Sequence, residues 1–213
     1  MKVAELFEAT SLEVKQAKAI VARWRKEFKA RGSSFGPGQI NEHGELEHTG
    51  RALKIRDDML DENGELPVKI KNCYAIELWT KDLRSFKNFP EIILNPAARS
   101  DAFYTTGANP HLTSLEGFPE TRNTEVQLYD FPNIKTFSKC NQYFKGCTDL
   151  IIPGKYKGPL LSVLKIASLN AIFQTNPNEP HIKIINWHLQ HGRNIVACQE
   201  ELFQNGLDEY AAL

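Results

Sequence analysis

A repeated eight-residue motif is the feature of this sequence that most constrains its fold. The clearest copy is LTSLEGFP at residues 112–119, and a second is LRSFKNFP at residues 83–90. Both have apolar first and fourth residues, serine at the third position and Phe-Pro at the end. Weaker copies begin at Ile134 and Leu160, so successive copies start 29, 22 and 26 residues apart. A period of about 20–29 residues is typical of leucine-rich repeats, whose turns stack on one another.

The segments that precede the motifs predict short β-strands. Residues 74–79, 101–106 and 124–129 each have apolar side chains at alternate positions, as a half-buried strand requires. Within the motif, the serine or threonine is small enough for a corner and can bond nearby backbone groups. The sequence therefore predicts an α+β fold: a short, irregular, leucine-rich-repeat-like β solenoid or curved sheet.

Helices are expected at both ends of this solenoid. Between Thr10 and Lys29, apolar residues recur at helical spacing, and Gly32 follows as a stop signal. This stripe can pack on the solenoid as a cap, or it can pair with a second copy or a target. Residues 181–187 alternate loosely, which predicts a last strand or the lead into a helix. Asn194 is positioned to cap a final helix that ends near residue 204. With residues 31–39 as a linker, the predicted units are an amphipathic helix at 1–32 and a repeat domain with a C-terminal capping helix at 40–213.

The motif at residues 112–119 resembles the repeated L-T-S-L-E-G-x-P unit of small leucine-rich-repeat-like proteins from tailed bacteriophages and some bacteria. Residues 40–46 and 66–70 are similar to that family's lead into the first repeat, and residues 195–211 are similar to its terminal helix. The resemblance covers roughly residues 38–213 and is interrupted by an insertion at 95–110. It implies a fold and a viral origin, without implying a reaction.

Composition weighs against several classes of partner. The 26 basic and 26 acidic residues give a formal net charge of zero, which makes nucleic acid an improbable partner. No apolar run approaches the length needed to span a bilayer, and no signal-peptide core is present. The four cysteines form no C-x-x-C pair. We therefore expect a cytoplasmic protein, in the cytoplasm of an infected bacterium if a phage encodes it.

No catalytic signature stands out, so the sequence predicts a protein that is not an enzyme, with no cofactor and no metal. One alternative is a metal-dependent enzyme built on His181, His188 and His191, with Cys198 nearby. A nucleophilic cysteine, Cys140 or Cys147 with His111, is a further possibility. Cysteine in such repeats more commonly fills an inward position as a small apolar residue.

The predicted functional surface is the outward side of the strands, where each turn presents side chains at about 4.8 Å spacing. Aromatic residues dominate binding hot spots, although here they can also pack against each other. The candidate binding residues are Glu77, Trp79, Tyr104, Gln127 and Tyr129. The sequence thus favours a module that binds a host or anti-phage defence protein. Self-assembly through the N-terminal helix is an alternative.

Overall fold

The elements come from a computed structural model that describes residues 11–33, 35–36, 38–49, 52–92, 103–105, 107–120, 125–174 and 179–213. In chain order, the helices are α1 (Ser11–Ala30), α2 (Cys140–Tyr143), α3 (Pro180–Gln190) and α4 (Ile195–Gln204). The strands are β1 (Gly38–Ile40), β2 (Leu46–His48), β3 (Leu53–Arg56), β4 (Ile70–Cys73), β5 (Ile76–Trp79), β6 (Glu91–Ile92), β7 (Phe103–Thr105), β8 (Glu125–Gln127), β9 (Asp149–Ile151) and β10 (Ala171–Phe173). Three short 3-10 helices cover Asp57–Met59, Leu161–Lys165 and Asp208–Tyr210.

The strands form a β solenoid of about five turns flanked by helices, which confirms the predicted fold class. One side is built from two parallel sheets, with strand orders β3-β5-β7 and β8-β9-β10. The other sheet has the order β1-β2-β4-β6, in which only the β1–β2 pair is antiparallel. Paired parallel strands are 19–27 residues apart in sequence, as one strand per turn of a stacked coil requires.

The core consists of side chains that stack from turn to turn. Pairing aligns Leu53 with Ile76 and Ile55 with Leu78, and these four side chains are buried. The inward pair predicted on the later strand, Val126 and Leu128, is also buried. Alternation along each strand therefore decides which residues enter the core, as the period-2 geometry of a strand demands.

The corners of the solenoid depend on the hydroxyl of the repeated motif. The oxygens of Ser85 and Ser114 each accept a hydrogen bond of 3.0 Å from the backbone N–H two residues later. Thr136 Oγ1 does the same for Ser138. These hydroxyls replace a backbone acceptor in a tight turn, as the sequence predicted. The fourth copy differs, because all residues from 160 to 163 are buried and a 3-10 helix occupies Leu161–Lys165.

Helix α1 packs on the first turn of the solenoid. The predicted stripe is confirmed, since Val21, Trp24 and Phe28 are buried in the same core as the strands. Phe35, from the predicted linker, packs between them, with ring centroids 5.8 Å from Trp24 and 5.3 Å from Phe28. The stripe is therefore covered within the chain. Thr10, where the predicted helix begins, lies outside the described residues.

The C-terminal end is closed by two packed helices and a final 3-10 turn, where the sequence predicted one helix. Residues 181–187, expected to be a last strand or the lead into a helix, belong to α3, so the strand alternative was wrong. Buried positions at 181, 182, 184, 185, 188 and 189 follow helical spacing, and Pro180 begins the helix. The prediction for α4 is confirmed, including its cap: Asn194 Oδ1 accepts from the backbone N–H of Ala197 at 3.1 Å.

Asn186 of α3 caps the exposed edge of β10. Its Oδ1 accepts from the backbone N–H of Ile172 at 2.7 Å, and its Nδ2 donates to the Ile172 carbonyl at 2.9 Å. The side-chain amide thus provides the acceptor and donor that another strand would offer. Such covering of an edge prevents unwanted strand pairing.

The insertion predicted at residues 95–110 lies partly outside the described residues, which omit 93–102 and Thr106. Its described part includes β7 and Asn109, whose backbone N–H donates to the Asp130 carbonyl at 2.6 Å. Asn109 Oδ1 also accepts from Thr80 Oγ1 at 3.4 Å. This part of the segment therefore stacks between neighbouring turns. None of the helices in the described part of the chain is long and apolar enough to cross a membrane.

Candidate functional site

The candidate site is the outer face, which we define as the solvent-facing side of β3, β5, β7, β8, β9 and β10 together with exposed Tyr129, which follows β8. Pairing places outward residues in columns that run across the strands. Lys54 and Glu77 form one column, whose backbone register continues to position 104 in β7, and Gln127, Ile151 and Phe173 form another. Neighbours in a column are separated by about 4.8 Å, the spacing of hydrogen-bonded strands. The outer face is therefore a fixed array of side chains on rigid backbone.

The N-terminal half of the outer face consists of β3, β5 and β7, and the C-terminal half consists of β8, β9 and β10. In the N-terminal half, the predicted residues Glu77 and Trp79 contact each other. Trp79 Nε1 donates to Glu77 Oε2 at 3.2 Å, and Lys54 Nζ lies 3.4 Å from the same carboxylate oxygen. The Lys54 ammonium also lies 5.2 Å from the centre of the Trp79 ring. A cation over an indole ring is attracted by the electron-rich face of that ring. These three side chains thus orient one another while about half of Trp79 stays exposed.

The other predicted residues are distributed over β7, β8 and the residues that follow. The backbone of Tyr104 pairs opposite Glu77 in β7, and its side chain lies outside what the structure describes. Gln127 is exposed, and its amide donates to the carboxylate of Glu125 on the same strand. Tyr129 follows β8 and is half exposed. Sequence alternation therefore placed Trp79, Gln127 and Tyr129 at the surface.

Sequence reasoning missed two residues of the outer face, Ile151 and Phe173. Ile151 pairs with Gln127, Phe173 pairs with Ile151, and Phe173 is one of the large apolar side chains left exposed. The signal was present, because the steps from Gln127 to Ile151 and on to Phe173 are 24 and 22 residues. Strands at these positions were not predicted, so the repeat period was not extended to them.

The three C-terminal histidines lie in separate environments. Buried His181 Nε2 is 3.1 Å from Gln174 Oε1, and its ring stacks on Tyr210 at 3.8 Å. Burial lowers the pKa of His181, which favours the neutral imidazole. His188 Nε2 lies 2.9 Å from Glu201 Oε2, while His191 stacks on Trp187. Within the ranges that the structure covers, no three histidine, cysteine or acidic side chains are grouped as metal ligands would be.

The cysteines fill core positions. Cys140 and Cys147 are buried, and burial raises the pKa of each thiol to about 12. Only the thiolate is an effective nucleophile, so a thiol with such a pKa is poorly reactive at neutral pH. His111, the proposed base, is exposed at a corner of the solenoid. The geometry thus favours cysteine as a small apolar residue of the stack.

Comparison of the chain with protein-family models, curated proteins and solved structures found no significant match. The resemblance of residues 112–119 to phage proteins accordingly stays a prediction. The class that the fold itself defines is a helix-capped β solenoid. Its function has to be inferred from the geometry of the outer face.

Proposed function

We propose that this chain is a non-enzymatic module that binds another protein through its outer face. The observation that carries this proposal is the exposure of three aromatic side chains on that face. Trp79, Tyr129 and Phe173 expose 51%, 49% and 44% of their surfaces. Large aromatic side chains supply much of the energy at protein interfaces. A preformed sheet also loses little conformational freedom on binding, which lowers the cost of association.

The proposed partner is a host protein or an anti-phage defence protein that the module inhibits or modulates in the bacterial cytoplasm. The resemblance of residues 112–119 to phage repeat proteins supports this choice. Zero formal net charge is also compatible with a protein partner and gives no general attraction to nucleic acid.

The alternatives raised by the sequence have weaker support. Self-assembly through the N-terminal helix needs an available apolar stripe, and Val21, Trp24 and Phe28 are covered by the chain itself. A metal-dependent enzyme needs converging ligands, and among the described residues no three histidine, cysteine or acidic side chains are grouped in that way. The outer face is therefore the better-supported site.

The Trp79→Ala/Tyr129→Ala double variant is expected to lose the partner. The purified chain would be immobilised and exposed to bacterial host lysate, and the affinity of any stoichiometric partner measured with purified components. Removing two hot-spot aromatics weakens such binding by at least about 30-fold. The matched control is Trp187→Ala/Phe203→Ala, which removes residues with similar exposures of 52% and 49% from helices α3 and α4.

Two results would overturn the proposed function. One is the absence of any stoichiometric partner for the wild-type chain. The other is equal loss of binding in the matched control, since α3 and α4 lie outside the outer face as defined by its strands.

A further inference from the structure

Five glutamates of the solenoid pair with a lysine of a neighbouring turn. In four of these pairs the lysine lies 22–25 residues after the glutamate in sequence. Lys54 and Glu77, 23 residues apart, form a similar pair in the reverse order. The pairs of the first kind are Glu45–Lys69, Glu47–Lys71, Glu65–Lys87 and Glu120–Lys145. Charge on one turn is therefore matched by opposite charge on a neighbouring turn.

Glu125 and Asp149 are arranged differently from these five pairs. They lie directly opposite each other in the β8–β9 register, on the outer face. Like charges at opposite positions of adjacent strands repel. Each carboxylate accepts one neutral donor, from the Gln127 amide and the Thr148 hydroxyl respectively. In the part of the chain that is described, no ion pair joins either carboxylate to a lysine, arginine or histidine.

An apolar column runs beside these two carboxylates. Two positions further along the same strands are Gln127 and Ile151, in register with Phe173. Alternate residues of a strand are separated by about 6.5 Å, so the acidic and apolar columns are neighbours. Half-exposed Tyr129 lies beyond Gln127 and extends the apolar part.

The two halves of the outer face therefore differ in whether a lysine of the chain itself neutralises their carboxylates. In the N-terminal half, the Lys54 ammonium neutralises Glu77 and covers the ring of Trp79. The C-terminal half combines an exposed Phe173 with two carboxylates that are directly opposite each other. A cation supplied by a partner therefore contributes more binding energy beside Glu125 and Asp149 than beside Glu77, which already binds Lys54.

We infer that the C-terminal half of the outer face docks a protein segment whose apolar side chains are flanked by lysine or arginine. This inference rests on the proposed function and specifies the chemistry of the partner. The apolar side chains cover Ile151 and Phe173, and the cation lies against the carboxylate pair. We call this region the acid–apolar surface; it consists of Glu125, Gln127, Tyr129, Asp149, Ile151 and Phe173.

The test is a selection of random linear peptides against the immobilised full chain. Enriched peptides should combine lysine or arginine with aliphatic or aromatic residues. Their affinity should fall by about tenfold or more in Glu125→Gln/Asp149→Asn, because the cation then loses its charged partners. Phe173→Ala should have a loss of similar size. The matched controls are Glu200→Gln and Trp187→Ala, exposed residues of α4 and α3 outside the outer face, and these should retain the affinity of the wild type.

Four outcomes would overturn the inference. The first is a selection that enriches no peptide, and the second is enrichment of peptides that lack basic residues. The third is binding that Trp79→Ala abolishes and Phe173→Ala does not. That result leaves the proposed function intact and moves the site to the other half of the face. The fourth is a dimer of this chain, detected by sedimentation and lost in Phe173→Ala, because the occupant would then be a second copy.

Discussion

Phe86→Ala is expected to lower the free energy of unfolding by about 3–5 kcal/mol, the usual cost of truncating a buried aromatic. Phe86 is the fourth residue of the motif at 83–90 and is buried at the centre of an aromatic cluster. Its ring centroid lies 4.9 Å from Phe118, 5.8 Å from Phe131 and 6.3 Å from Phe103. These residues come from successive turns, so the cavity would disrupt contacts between turns.

Urea unfolding followed by circular dichroism measures this change. The matched control is Phe203→Ala, which removes a half-exposed phenylalanine of α4 and should alter stability by only about 0.5 kcal/mol. A loss of less than about 1 kcal/mol in Phe86→Ala would contradict a closed core that joins the turns.

Trp24→Ala is expected to have a comparable effect, about 3–5 kcal/mol, through the N-terminal cap. Trp24 is fully buried between α1 and the first turn, with its ring 5.8 Å from that of Phe35. Phe35 in turn contacts His48 of β2, with ring centroids 6.1 Å apart. Truncation would loosen the cap and expose the apolar layer beneath it, which solenoid ends must keep covered.

The controls for this prediction are Arg23→Ala and Lys26→Ala, which alter exposed positions of the same helix. Both should leave stability within about 0.5 kcal/mol of the wild type. The same experiment separates the cap from the self-assembly alternative. If Trp24→Ala leaves the monomer stable and instead dissociates an oligomer, α1 pairs with a second copy and the cap assignment is wrong.

Local patterns in the sequence predicted much of the fold. Alternation identified the strands around Ile76 and Val126, and the period of the motif predicted stacking. The third-position hydroxyl predicted the corners, as Ser85 and Ser114 show. Helical spacing identified α1, and Asn194 identified the start of α4. Each of these features is determined by residues close together in sequence.

Features that depend on distant residues were not predicted. Strand β6 has only two residues, and β9 and β10 contain adjacent apolar residues, Leu150–Ile151 and Ile172–Phe173, so they lack the alternation that identified β8. Residues 181–187 alternate loosely, and helical spacing is clear only when the buried residues up to Leu189 are included. The match between Asn186 and the edge of β10 depends on tertiary packing, because Asn186 and Ile172 are 14 residues apart in sequence.

In the candidate site too, features set by nearby residues were predicted and features set by strand pairing were not. Alternation placed Trp79, Gln127 and Tyr129 on the outer face without any knowledge of pairing. It could not show that Lys54 binds Glu77 and covers Trp79, because that depends on the β3–β5 register. Phe173 was missed for the same reason, because it is aligned with Gln127 only through Ile151, by the β8–β9 and β9–β10 pairs.

Site-specific photo-cross-linking tests most directly whether the outer face is the binding site. A photoreactive phenylalanine analogue would replace Tyr129 in one variant and Trp187 in another, two side chains of similar exposure. With the captured partner present, we predict a cross-link from position 129 and none from position 187. A cross-link from position 187 alone, or none from position 129 while the complex persists, would contradict the account.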